Sequence, residues 1–158
     1  MFYSDDEKLS EGYKIFSGRF GFCCSEDVIA RHTSDSGKIE KENGKIVVFY
    51  ADRLSFFQTI VGYFAGGRTS RLSSSFKKTG IMLDCARNGV PSLSFIKEFI
   101  LSAVAAGYDY LGLYVEDCIE VEDEPHFGYM RGRYTEKEIR EMVSFADLFG
   151  FEIMPFVQ

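Results

Sequence analysis

The sequence predicts an α/β protein in which a small α+β domain, residues 1–78, leads into the first, truncated part of a TIM (β/α)8 barrel, residues 79–158. Three observations predict it. Asn43-Gly44 stands between two alternating runs, a strong hairpin signal, and one amphipathic helix follows. From Thr79 the pattern becomes strand, helix, strand, helix, strand, the order of a parallel β/α array. The loop after the first of those strands lacks the glycine spacing with which a nucleotide-binding open sheet cradles phosphate.

In the leading part, YKIFSGRFGFCC reads as a strand, SEDVIARHTSDSG as a polar connection, and KIEKENGKIVVFY as the hairpin. Asp52 occupies a helix N-cap position, because its carboxylate can accept from the free amides of the first turn. Leu54, Phe57, Val61 and Phe64 then recur at helical spacing until Gly66-Gly67. The Ser-rich RLSSSFKK stretch is either a joint or one more edge strand.

Beyond it, IMLDCA (81–86) is a short apolar strand. Ser92 opens a helix with Leu93, Ile96, Phe99, Ile100, Ala103 and Val104 on one face, closed by Gly107. YLGLYV (110–115) is the second strand. Thr135-Glu136-Lys137-Glu138 fits a capping box, Ile139, Met142, Val143, Ala146 and Phe149 form a buried stripe, and Gly150 stops the helix. FEIMPFV (151–157) is the third strand.

In a barrel, the carboxyl ends of the strands form the active face. That makes Asp84 and Arg87, then Glu116 and Asp117, then Gln158 the candidate rim residues. A complete barrel takes roughly 250 residues, so three strands imply an incomplete one. The third strand is then expected to keep an unpaired edge and to expose side chains meant for the interior.

Composition narrows the function classes. At 158 residues and 46% hydrophobic, the chain can bury a core. Residues 1–79 hold 12 Lys and Arg against 10 Asp and Glu, whereas residues 80–158 hold 6 against 14. Six of those acids, Glu116, Asp117, Glu120, Glu122, Asp123 and Glu124, lie in one short stretch, which argues against a nucleic-acid partner. With His126 they could hold a hard cation, but they lack a ligand loop's spacing, so a solvated loop is expected, and neither metal nor cofactor. Arg131 and Arg133 are expected to neutralise some of them, with Tyr134 packed beneath the loop; His32 shows no partner. The thiols Cys23, Cys24, Cys85 and Cys118 match neither a zinc site nor a redox pair and read as free thiols in a reducing cytoplasm. The acidic first seventeen residues carry no visible export signal, and no apolar run is long enough to span a bilayer, so neither secretion nor a membrane partner is expected.

The runs GIMLDCARNGVPSLSFIKEFI, YLGLYVEDCIEVEDEPHFGYMRGRYTEKEIREM and FADLFGFEIMPFVQ resemble the start of the catalytic barrel of glycoside hydrolase family 20, the β-N-acetylhexosaminidases, and in particular its bacterial exo-acting subgroup. The likeness runs from about residue 80 to the end and is most specific in LDCARN, LYVEDCIEVEDEPHFGYMRGRYT and MPFVQ. It implies removal of a terminal β-linked N-acetylhexosamine from a glycan or glycoside, with the substrate's own acetamido oxygen as nucleophile. It also implies that Arg87 binds hydroxyls of the terminal sugar, a task suited to a guanidinium's five donors, while Asp84, Glu116 and Asp117 support the active face. An ion pair of Arg87 with Asp84 or Glu116 is the competing structural role. The family's catalytic Asp-Glu pair follows its fourth barrel strand, so the catalytic residues are expected beyond residue 158 and the chain alone is expected to be inactive. A non-catalytic carbohydrate-binding or assembly module is the alternative.

Overall fold

The computed structural model describes residues 1–22, 26–34, 37–71, 74–87 and 89–157. Cys23 and Cys24, Asn88 of the LDCARN run and Gln158 lie outside the described residues. The elements run β1 (Phe2–Tyr3), α1 (Glu7–Phe20), β2 (Val28–His32), β3 (Lys38–Glu42), β4 (Lys45–Tyr50), α2 (Arg53–Gly66), β5 (Gly80–Asp84), α3 (Leu93–Ala106), β6 (Tyr110–Val115), α4 (Glu136–Asp147) and β7 (Glu152–Val157). They form a mixed sheet of order β1-β2-β4-β3 and a second sheet of order β5-β6-β7 whose strands are all parallel. Among the described residues no helix is long and apolar enough to cross a membrane.

The hairpin β3–β4 turns at Asn43 and Gly44, whose φ angles of 50° and 77° are the positive pair that a type I′ turn demands. Ile46, Val48 and Tyr50 point to the helices with Val28 and Ile39, while Arg31 lies over the Phe49 ring on the other face. Thr69 to Arg71 continues this sheet only as a single antiparallel bridge, Lys38 to Ser70, so that part of the Ser-rich stretch is an edge tie rather than a full strand.

Two readings of the leading region need correction. Residues 13–20 are not a strand but the later part of α1, which Asp6 caps by accepting from the Leu9 amide and Gly21 ends in the left-handed region. Leu9, Gly12 and Phe16 form its buried stripe, and Gly12 is there because a Cβ would stand 2.9 Å from the Leu148 carbonyl oxygen. The connection 25–37, read as polar throughout, contains β2, which pairs in parallel with β4 along its whole length. His32 has a partner after all: its Nε2 lies 3.1 Å from the Ala51 carbonyl oxygen, and its ring meets Tyr50 edge-on.

Helix α2 begins where expected, with Asp52 and Ser55 in a reciprocal capping box, and Gly67 closes it. It buries more than one stripe, since Leu54, Phe56, Phe57 and Ile60 are all inside, because it is packed between the first sheet and α3. Ser92 caps α3, and Thr135 with Glu138 caps α4. Helix α4 stops at Asp147, before Gly150, and Val143 lies half exposed rather than in the buried stripe. Strand β6 coincides with its apolar run, β5 runs from Gly80 and ends two residues early at Asp84, and β7 starts one residue late at Glu152.

One hydrophobic core runs through both sheets. Its seam is aromatic: Phe57 lies 5.0 Å from Phe16 and 5.1 Å from Phe149, centroid to centroid. Around the seam, Asp147 accepts from Lys8 at 2.5 Å and Arg53 at 2.9 Å, and the Asp109 carboxylate accepts from the Thr79 amide at 2.6 Å. The Lys8 ammonium holds the Asp147 carboxyl below the usual carboxylate range, with Arg53 helping and partial burial opposing. Because these partners are partly solvated, replacing Asp147 with Ala should destabilise the chain by about 1 kcal/mol, measured by urea unfolding. An unchanged midpoint would show that the aromatic seam alone fastens the two layers.

Candidate functional site

Strand β6 lies between β5 and β7, and its odd-numbered side chains Leu111, Leu113 and Val115 are buried in the core. Alternation then sends Gly112, Tyr114 and Glu116 to the opposite, open face. Register aligns three rows on that face: Gly80, Tyr110 and Glu152; Met82, Gly112 and Met154; and, nearest the carboxyl ends, Asp84, Tyr114 and Phe156. Large side chains lie over small ones. The Phe156 ring covers Gly112, where a Cβ would come within 2.7 Å of it, and the Tyr110 ring covers Gly80. Met82 and Met154 are exposed on this face.

The carboxyl ends carry the expected polar groups. Asp84 Oδ1 accepts from the Ala86 amide at 2.9 Å and the Arg87 amide at 3.1 Å, which folds the chain sharply at the strand end. The Arg87 amide is the main reason the Asp84 carboxyl stays below its ordinary range, against a rise from burial. Arg87 returns across the rim: its guanidinium carbon lies 5.1 Å from the Tyr114 ring centroid, and Nη1 lies 3.4 Å from Asp84 Oδ2. That side chain is still 66% exposed, so most of its donors face solvent. The Tyr114 hydroxyl donates to Glu116 Oε1 at 3.2 Å.

Asp117 is held by Arg131, whose Nη1 donates to Oδ1 at 2.6 Å while Nη2 donates to the Ala86 carbonyl. Arg133, expected to neutralise an acid, donates to the Phe127 carbonyl at 2.8 Å. Gly128, at φ 67°, lies against the Asp117 carbonyl, where a Cβ would overlap it. Beneath the rim, Tyr134 is buried and donates to the Pro91 carbonyl at 2.6 Å, and its backbone pairs with Cys118 and Glu120. Cys85 and Cys118 are buried free thiols, and burial pushes the Cys85 thiol up to about 11, with the neighbouring Cys118 adding to it. The acids further along the loop, Glu120, Glu122, Asp123 and Glu124, border an open hollow with Arg133 and Glu136. Among the described residues no group of three or more His, Cys, Asp or Glu is placed to hold a metal ion.

Asp84, Arg87, Glu116 and Asp117 therefore meet at one rim. Tyr114, Phe156 and Arg131 belong to the same constellation, beyond the residues expected there. Strand alternation could have found Tyr114, two residues before Glu116 and hence on its face.

Comparison by sequence finds no matching protein-family model and no matching curated protein. Comparison of structures does find relatives. A GH20 exo-β-N-acetylglucosaminidase from Vibrio harveyi, solved with N-acetylglucosamine, superposes with a TM-score of 0.77 at 17% identity, covering 98% of this chain and 32% of that one. The chain has the fold of the leading part of a family 20 glycoside hydrolase. A β-N-acetylhexosaminidase from Bacteroides fragilis (TM-score 0.72, 17% identity) and a GH20 β-N-acetylhexosaminidase from Streptomyces coelicolor (0.67, 14%) also match 98% of this chain, and 39% and 40% of their own. The chain thus spans about a third to two fifths of the length of these enzymes. The family 20 fold agrees with the likeness seen in the LDCARN, LYVEDC and MPFVQ runs, and it extends over the leading residues as well.

Two outcomes follow from this geometry. A carboxyl lowered by folding stabilises the fold above its unfolded value of 3.8 and loses that contribution as pH falls through its lower, folded value. The Ala86 and Arg87 amide resonances should accordingly titrate with a midpoint below 3.8, and a midpoint at or above it would contradict the Asp84 turn. Cys85 should resist alkylation by iodoacetamide at neutral pH in the folded chain and react after denaturation, read by mass spectrometry.

Proposed function

We propose that this chain supplies the front of a β-N-acetylhexosaminidase-type glycoside hydrolase: a small leading domain, residues 1–78, and the first three strands of a (β/α) barrel, residues 79–158. The observation that carries the reading is Arg87 at the carboxyl ends of parallel strands, stacked on Tyr114 and, among the described residues, tied to Asp84 by one long ion-paired hydrogen bond. A guanidinium so placed can donate to adjacent hydroxyls of a terminal sugar, and the nearby aromatic rings offer apolar surface to the sugar's C–H faces. Asp84, Glu116 and Asp117 keep the rim anionic and oriented around it.

In this reading the substrate is a glycan or glycoside ending in β-linked N-acetylhexosamine. Its acetamido oxygen attacks the anomeric carbon while an acid protonates the departing oxygen, and water later opens the cyclic intermediate. A later Asp-Glu pair of the family orients the acetamido group and supplies the acid, so the residues of this chain bind and orient the sugar, and the chain by itself does not cleave it.

In a protein that also carries the remaining barrel strands, Arg87→Ala should lower kcat/KM for a chromogenic N-acetylglucosaminide by about 10- to 100-fold, the worth of a hydrogen bond from a charged donor. Unchanged kinetics would reduce Arg87 to a scaffold residue. Absence of any hydrolysis by the folded parent protein would favour a carbohydrate-binding or assembly module instead.

A further inference from the structure

The loops that shape the rim come from different strands and need something to fix them to each other. Arg131 is the residue placed to do so. It projects from the long segment between β6 and α4, and its guanidinium spans the gap between the two strand ends. One amino group meets Asp117, two residues past the end of β6; the other meets the carbonyl of Ala86, the residue whose peptide bond leads into Arg87. The side chain is 30% exposed and Asp117 33%, so the pair is partly shielded from water. A planar fork can serve two acceptors in fixed directions, which a lysine's point charge does less well.

We infer that Arg131 is a positioning residue: by joining the Ala86 carbonyl to Asp117 it holds the β5 loop against the end of β6 and thereby keeps the Arg87 guanidinium over Tyr114, beside Glu116. This rests on the proposed sugar-binding role of Arg87 only for its consequence in binding, not for the clamp itself. Asp84 sets the local turn through the amides of Ala86 and Arg87, whereas Arg131 sets where that turn stands relative to the neighbouring strand. Removing Asp117's charge partner would also leave that carboxylate uncompensated three residues from Glu120, the first of a further run of acids.

The test uses the 158-residue chain and reads structure and binding separately. In Arg131→Met, amide hydrogen exchange at Ala86 and Arg87 should accelerate by at least about tenfold, while Val47 and Val48 in β4 keep their protection. The Arg87 side-chain protons should lose the ring-current shift imposed by Tyr114. Arg131→Lys should restore part of both signals, and Asp117→Asn, which keeps the acceptor but not the charge, should loosen the loop less than the Met variant. If the Met variant fails to fold, the Lys and Asn variants carry the comparison. Unchanged exchange and an unchanged Arg87 shift in the variants would overturn the clamp, as would equal acceleration at Val47 and Val48, which marks general destabilisation. Titration with N-acetylglucosamine separates the two ideas: with the clamp intact, failure of the parent chain to bind the sugar counts against the proposed function and leaves the positioning result standing. Binding that weakens in Arg131→Met and recovers in Arg131→Lys supports both.

Discussion

The arrangement of the rim depends on the way β6 is pinned. Its two neighbours hold its backbone by parallel pairing, and the core takes Leu111, Leu113 and Val115, so a shift of one residue would turn three apolar side chains into water. With that register enforced, Tyr114 and Glu116 have no choice of face. Everything polar at the strand ends is then placed relative to them: Asp84 in the same row as Tyr114, Arg87 stacked above its ring, Asp117 turned toward Arg131. The burial of three aliphatic side chains thus orients a set of charged ones.

The leading layer acts on the same strands from behind. Phe16 and Phe57 meet Phe149 just before β7, and Arg53 and Lys8 hold Asp147 at the end of α4. Gly150 is part of this contact, because a Cβ there would press to 3.0 Å from the Leu54 amide. The point where the chain enters β7 is therefore set by α2, and the alignment of Phe156 with Tyr114 and Asp84 is inherited from it. The leading layer thus buttresses the parallel strands.

What could be read from the sequence was what local chemistry decides. Asn43-Gly44, the Asp52 cap, the Thr135–Glu138 box and Gly107 each act within a few residues, and all stand where expected. Strands β5, β6 and β7 were visible as apolar runs, although only β6 is deeply buried. Helix α1 was missed because its stripe includes Gly12, a residue that argues against a helix until the Leu148 carbonyl beside it is known. Strand β2 was missed because its second half, Ala30-Arg31-His32, looks polar, although parallel pairing with β4 needs only its backbone. The position of Arg87 at a strand end was legible; its stacking on Tyr114 was not, since the two lie 27 residues apart. Arg131 bridges partners 14 and 45 residues away, a relation that no local pattern records.

The balance of charge at the rim bears on the proposed role of Arg87. Three carboxylates close together repel one another unless each is compensated, and the cost rises as water is excluded. Asp84 is met by two backbone amides of its own turn, Asp117 by the Arg131 fork, and Glu116 by the Tyr114 hydroxyl. Arg87 is tied less firmly than any of them, through a 3.4 Å contact to a carboxylate already served by amides. A polyhydroxylated ligand that accepted from Arg87 would therefore displace mainly water and one long hydrogen bond, leaving the carboxylates' own partners in place. The anionic rim would at the same time hold the guanidinium in position and disfavour anionic competitors, which fits a neutral sugar better than a phosphorylated one.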